Sequence, residues 1–209
     1  MKQLRHHSSH LIVGLLILGT ASCTVSKMTP SPSPSTVAPI ECLVDASSLP
    51  QGWYEDIPPH PYDLPGRVLP GRALEGISVQ FRSEEFDGLA RHEILRYRNE
   101  QQAEEEFQRQ QVSKFFNAGR VTPWETPETV SLEDLAADQY RLSCANIEAA
   151  GQFRLCTSMA QYGNHLSTFT TWMSPDYMTY EDLKGILWAI DQRMAQCLGQ
   201  PLSSSSNED

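Results

Sequence analysis

A short apolar run near the start of the chain decides what kind of fold is open to the rest of it. Leu11 to Gly19 (LIVGLLILG) follows ten residues that carry Lys2 and Arg5 and no acid, and it gives way to small residues before Cys23. A helix crossing the hydrocarbon core takes about 20 apolar residues, so this run is too short for a permanent span and reads as a signal-peptide core within residues 1–22. The folded part is then expected outside the cytoplasm. Thiols oxidise there, and the cysteines become the main constraint on how the domain can close.

The residues before that cysteine, Gly19-Thr20-Ala21-Ser22-Cys23, resemble the lipobox of bacterial lipoproteins, with Thr20 where the usual pattern has leucine. The resemblance implies cleavage before Cys23, a lipid on its thiol, and a protein held to a membrane through that lipid. The implied membrane is the outer face of the cytoplasmic membrane, or an outer membrane if the host has one. Thr24 to Pro39 (TVSKMTPSPSPSTVAP) has the Pro/Ser/Thr composition of an extended spacer, so residues 23–39 read as a lipidated cysteine and its tether. Residues 203–209 (SSSSNED) form a polar tail expected to be disordered.

Between these ends, residues 40–202 suit one globular domain, and roughly 160 residues leave no room for two large ones. Removing Lys2 and Arg5 from the 16 basic residues leaves 14 against 26 acidic, so the net charge moves from −10 to −12. Such a surface repels nucleic acid, which is not expected as a partner. With Cys23 given to lipid, Cys42, Cys144, Cys156 and Cys197 make an even set. Two disulfides are expected, preferably Cys42 with Cys197, joining the start of the domain to its last helix, and Cys144 with Cys156 across a hairpin. The long first loop would contribute on the order of 4 to 5 kcal/mol through chain entropy. No CxxC pair argues for a metal, and no metal or cofactor is expected.

The order of elements follows from periodicity. Ser48 to Gly71 carries prolines at 50, 58, 59, 61, 65 and 70, which oppose helix and central strand alike, so it is expected to be irregular. Gly76–Phe81 and His92–Arg98 alternate as strands about an Asp87-Gly88 turn. Asn99 caps a helix with Ala103, Phe107, Val112, Phe115 and Phe116 on its apolar side, ending at Gly119. Three strands follow, Asp138–Ile147, Gln152–Tyr162 and His165–Met173. The two-residue turn Gly163-Asn164 sets Met159 opposite Thr168 and Leu155 opposite Trp172.

The preceding hairpin is open between two registers. A three-residue loop from Ala149 to Gly151 puts Cys144 opposite Cys156, whereas a four-residue loop puts Tyr140, Leu142 and Cys144 on a face with Phe153, Leu155 and Met159. A bulge would reconcile them. Thr179 and Asp182 make a capping box for a last helix whose stripe is Leu183, Ile186, Leu187, Ile190, Met194, Cys197 and Leu198. The expected fold is α+β: an antiparallel sheet of about five strands with two helices packed on it, in the order β-β-α-β-β-β-α. That order over residues 76–199 is similar to Mog1/PsbP-like sandwiches, an architectural likeness that transfers no function.

No residue set compels catalysis: GxSxG, SxxK, HExxH and a glycine-rich phosphate loop are all missing, and no catalytic residue is assigned. The histidines beyond the signal segment are His60, His92 and His165, the last expected to be exposed in a hairpin turn. The proline-stiff loop gathers Trp53, Tyr54, Glu55, Asp56, His60, Tyr62 and Asp63, with Trp53, Tyr54, His60 and Tyr62 as binding candidates. The competing expectation is that Trp53 and Tyr62 cover a core edge while the acids face water. Arg91, Arg96 and Arg98 are expected to form local ion pairs. The leading reading is a membrane-tethered, non-catalytic binding or assembly module with a protein partner of unknown identity. The alternative is a sensor or carrier with a small-ligand pocket lined by Phe115, Trp172, Trp188 or Tyr140, and an enzyme with an unfamiliar site comes third.

Overall fold

The computed structural model describes residues 39–61, 73–114, 122–147 and 153–200, all within the unit Ser35–Asp209. Residues 23–38 of the expected tether, the tail, Tyr62, Phe115 and the two hairpin loops proposed at residues 148–151 lie outside them. Two short 3-10 turns, Pro39–Cys42 and Ala46–Ser48, lead into β1 (Trp53–Pro61), β2 (Glu75–Ser83), β3 (Leu89–Arg96), α1 (Glu100–Lys114), β4 (Gln139–Ile147), β5 (Phe153–Tyr162), β6 (His165–Met173) and α2 (Tyr180–Leu198). The strands form one antiparallel sheet in the order β1-β2-β3-β6-β5-β4. The fold is α+β as expected, but with six strands. Among the described residues no helix is long and apolar enough to cross a membrane.

The added strand is β1, in the stretch expected to be irregular. Proline lacks an N–H for the ladder and is tolerated only where one side of the strand has no neighbour. β1 is such an edge, and its pairing with β2 shifts register between Glu55 and Ile57 and again between Ile57 and His60, the second shift falling across Pro58 and Pro59. Those irregularities let a proline-bearing segment pair at all, and they blunt the edge against further strands.

The sheet carries a helix on each face. Alternation places Ile77, Val79 and Phe81 of β2 and Ala90 and Ile94 of β3 on one side, where they join Phe169, Tyr162, Cys156 and Leu142 beneath Leu183, Ile186, Leu187, Ile190 and Met194 of α2. The other side holds a smaller core, Leu95, Met159 and Leu166 under Ala103 and Phe107 of α1. Both helices begin at side-chain caps. Asn99 Oδ1 accepts from the Gln102 amide at 2.9 Å, and the Thr179/Asp182 capping box forms in both directions.

The β5–β6 register is the expected one, with Met159 opposite Thr168 and Leu155 opposite Trp172; Gly163 takes the positive φ (54°) that its tight turn demands. In the β4–β5 hairpin the three-residue register wins without a bulge, and Cys144 faces Cys156. The four-residue alternative is overturned: Tyr140, Leu142 and Cys144 share a face with Cys156, Ser158 and Ala160. Cys144 exchanges both backbone hydrogen bonds with Glu125 on its outer side, at 2.8 and 2.9 Å. It therefore forms a non-hydrogen-bonded pair with Cys156, where side chains approach closest and a cross-strand disulfide fits. Cys144–Cys156 and Cys42–Cys197 are both bonded.

Candidate functional site

Three segments distant in sequence meet where the sheet ends beside the start of α2. The chain enters β1 through Pro50–Gly52; the β2–β3 connection contributes Ser83–Phe86; the β6–α2 connection contributes Pro175–Tyr177, Thr179 and Asp182. Backbone bonds hold them together. The Glu84 amide donates to Gly52 O at 2.8 Å, and Ser174 and Met178 bond reciprocally to close a tight turn around Tyr177. Between these segments lies an open cleft of about 540 Å³.

Aromatic rings wall the cleft. Trp53 is buried and its indole N–H donates to Tyr177 O at 3.1 Å. The Trp53 and Tyr177 ring centroids lie 6.1 Å apart, and those of Phe86 and Tyr177 5.7 Å apart, both tilted. Such spacing is within the favourable range for aromatic pairs. Phe86 remains 41% exposed, unusual for a ring that could have packed. Gly88 makes the cluster possible: a Cβ there would sit 3.0 Å from Tyr177 Cδ2 and 3.1 Å from two ring atoms of Trp53.

The polar lining is acidic. Glu84, Glu85, Asp176 and Asp182 line the cleft, and among the described residues no Lys, Arg or His does. Asp182 accepts from the Thr179 amide at 2.8 Å as part of the helix cap, and Asp176 accepts from Ser174 Oγ. Arg82, which precedes this loop, is turned to Asp56 at 2.9 Å and to Asp87 at 3.4 Å. Burial, with the nearby carboxylates of Asp87 and Asp176, pushes the Tyr177 phenol above its ordinary pKa. Across the Ser174–Met178 turn a smaller, apolar cleft of about 340 Å³ lies between Met173, Met178, Tyr180 and Arg154. The Arg154 guanidinium is occupied by Glu125 (2.6 Å) and Asn146 (3.2 Å).

The expected binding loop is dispersed by its strand geometry. Trp53 turns into the core edge and lines the cleft. Tyr54 stands exposed on β1; Asp56 is engaged by Gln80 and Arg82; the His60 ring bonds the carbonyl of Pro58, two residues back, at 2.9 Å. Tyr62 and Asp63 fall outside the described residues. Of the residues expected to line a small-ligand pocket, Phe115 lies outside the described residues, and Tyr140 and Trp172 are not brought together. Tyr140 packs on the α2 side of the sheet, whereas Trp172 stacks on Phe153 on the opposite side, with centroids 5.0 Å apart.

His165 also differs from expectation. It is buried, because its β6 position pairs with Tyr162 and with Arg96 across the sheet, and burial pulls its imidazole down to about 4. His92 is fully buried, with a pKa near 3 for the same reason. Its Nδ1 accepts from the Val44 amide (3.3 Å), which leaves the Nε2 proton to donate to Ser167 Oγ (2.9 Å). Arg91 and Arg96 pair with Glu93 and Glu75.

Phe86, Glu84, Glu85 and Tyr177 went unread in the sequence as site residues. The legible signal was an aromatic residue beside acids in each of two turns, Ser83–Gly88 and Ser174–Thr179; nothing local says the two turns meet.

No family model and no curated protein matches the chain. Among solved structures it is similar to the extracellular domain of PknH from Mycobacterium tuberculosis, at 8% identity and a TM-score of 0.55, over 77% of this chain and 97% of that one. At that identity the likeness concerns the fold alone, and it leaves the resemblance to Mog1/PsbP-like sandwiches untouched.

Proposed function

We propose that this chain is a membrane-tethered lipoprotein whose folded domain works outside the cytoplasm as a non-catalytic recognition module, taking its ligand in the aromatic-walled cleft. The observation that carries the recognition reading is the convergence of Trp53, Phe86 and Tyr177 on a 540 Å³ space, with Phe86 still exposed. That volume is in the range of small-molecule and side-chain sites, and concave aromatic walls with a few polar groups are their usual chemistry. The lipobox at Cys23 and the spacer after it support the anchor. The two disulfides, and the likeness to a domain described as extracellular, support the address.

The start of the folded domain and the cleft lie at opposite ends of α2. Cys42, at the start of the described domain, is bonded to Cys197 near the helix C-terminus, while Thr179 and Asp182 at its N-terminus line the cleft. A helix of 19 residues is about 28 Å long, so the cleft is held well away from that bond. A domain stapled at one end and hollow at the other suits presentation to a ligand that approaches from beyond the membrane.

Intact-mass analysis of the membrane-extracted protein, with and without reductant, tests the anchor: a chain beginning at an acylated Cys23 with two disulfides is expected, and an unacylated N-terminus would remove it. A fragment screen read by amide NMR tests the cleft. Hits are expected to move Gly52, Phe86 and Tyr177, and a set of hits that all map elsewhere would sink the site.

A protein partner docked along β1 is the second reading. Tyr54 and Ile57 are each 42% exposed on that blunted edge, and a Tyr54→Ala/Ile57→Ala variant that loses a partner retained by Phe86→Ala would favour it.

A further inference from the structure

We infer that the cleft takes an organic cation, an ammonium or guanidinium group carried on a short apolar stem. The inference rests on the cleft being the binding site and names what fits it.

Aromatic faces are the first reason. A ring presents its negative quadrupole to whatever lies over its face, and a cation there is attracted electrostatically while its stem packs on carbon. Phe86 and Tyr177 are neighbouring walls, their planes tilted by 31°, and Trp53 closes the side at 56° to Tyr177. Gly88 lets Trp53 and Tyr177 close over bare backbone, so the rings are held by the fold before any ligand arrives.

Charge is the second reason. Four carboxylates line the cleft with no basic side chain beside them among the described residues, and Arg82 is drawn off to Asp56 and Asp87. Asp182 and Asp176 are held by the hydrogen bonds of their own turns, whereas Glu84 and Glu85 stand exposed on the rim. The field of the site therefore favours positive groups and disfavours anions, on a chain whose net charge is −10. A bare metal ion would gain little from three rings. A neutral apolar ligand would gain nothing from the carboxylates.

The cation can come from a free small amine or from a basic side chain of a peptide, and the experiment separates the two. The mature full-length protein is titrated with choline, with its neutral isostere 3,3-dimethylbutan-1-ol, and with N-acetyl-lysine amide and N-acetyl-arginine amide, followed by amide NMR at two salt concentrations. Choline or one of the amides is expected to saturate shifts at Phe86 and Tyr177, to bind at least about tenfold more tightly than the isostere, and to weaken with salt. Preference for choline assigns a free amine; preference for an amino-acid amide assigns a peptide side chain. Phe86→Ala should weaken the cation by roughly 2- to 30-fold. Glu84→Gln/Glu85→Gln, on an exposed loop and so expected to melt like the parent, should weaken it and flatten the salt dependence.

Equal binding of the isostere, or binding unmoved by the double glutamine variant, would overturn the cation while leaving the cleft as a site for neutral ligands. Shifts confined to other surfaces with every probe and every fragment would overturn both.

Discussion

His92 and His165 are held neutral by burial, and each carries a definite consequence for stability. Their folded pKa values, near 3 and near 4, lie below the 6.5 of an unfolded histidine, so the unfolded chain takes up protons first as pH falls. Stability from these groups is complete above pH 6.5 and is lost on acidification, down to about pH 4 for His165 and about pH 3 for His92. Each can contribute a slope of up to about 1.4 kcal/mol per pH unit in its window. Urea unfolding at pH 7 and pH 5 should show the domain weaker at pH 5, and His165→Gln should flatten that difference. A parent protein equally stable at both pH values would contradict the burial of both rings. Gly88 supplies the second test at this scale. The β-carbon of Gly88→Ala would press on Tyr177 and Trp53, costing about 1 kcal/mol in the free protein and disturbing the cleft wall, as urea unfolding and the Trp53 indole resonance would report. His165 illustrates why burial was not legible from a turn position: a residue flanking a two-residue turn is exposed only if nothing packs over that end of the sheet.

α2 is fastened to the sheet by one buried carboxylate. Asp191 is 1% exposed and accepts from the Ala136 amide (3.0 Å), the Ala137 amide (3.2 Å) and the Tyr162 hydroxyl (3.1 Å), tying the segment before β4 and the end of β5 to the helix. Asp191→Ala would strand three donors in the interior, and a loss on the order of 3 kcal/mol in chemical denaturation is expected. Asp191→Asn keeps an acceptor and should lose less. Within elements, the reading of the sequence worked where the determinants are local. The α2 stripe and its Thr179/Asp182 cap are written within a few residues of each other, as is the turn that sets β5 against β6. The β4–β5 register could not be chosen locally, since both loop lengths are good turns. Packing under α2 and the Cys144–Cys156 bond selected one of them. β1 was hidden because proline statistics describe central strands, and only the sheet order makes this strand an edge.

For the molecule as a whole, the two disulfides differ in what they restrain. Cys42–Cys197 spans 155 residues and Cys144–Cys156 spans 12, so chain entropy assigns about 5 kcal/mol to the first and about 3 kcal/mol to the second. Cys42→Ser/Cys197→Ser should therefore lower the denaturation midpoint more than Cys144→Ser/Cys156→Ser, and the reverse order would show that native packing at the hairpin outweighs loop closure. The long-range bond also fastens the start of the domain to the far end of α2 from the cleft. What the sequence determined by itself was whatever neighbours along the chain enforce: the amphipathic helix with its caps, and a tight turn with the register that follows from it. What the tertiary structure alone decided was the sixth strand, the buried histidine and the cleft. Each depends on contacts between segments tens of residues apart, and such contacts are fixed by the joint burial of many side chains, which no stretch of sequence specifies on its own.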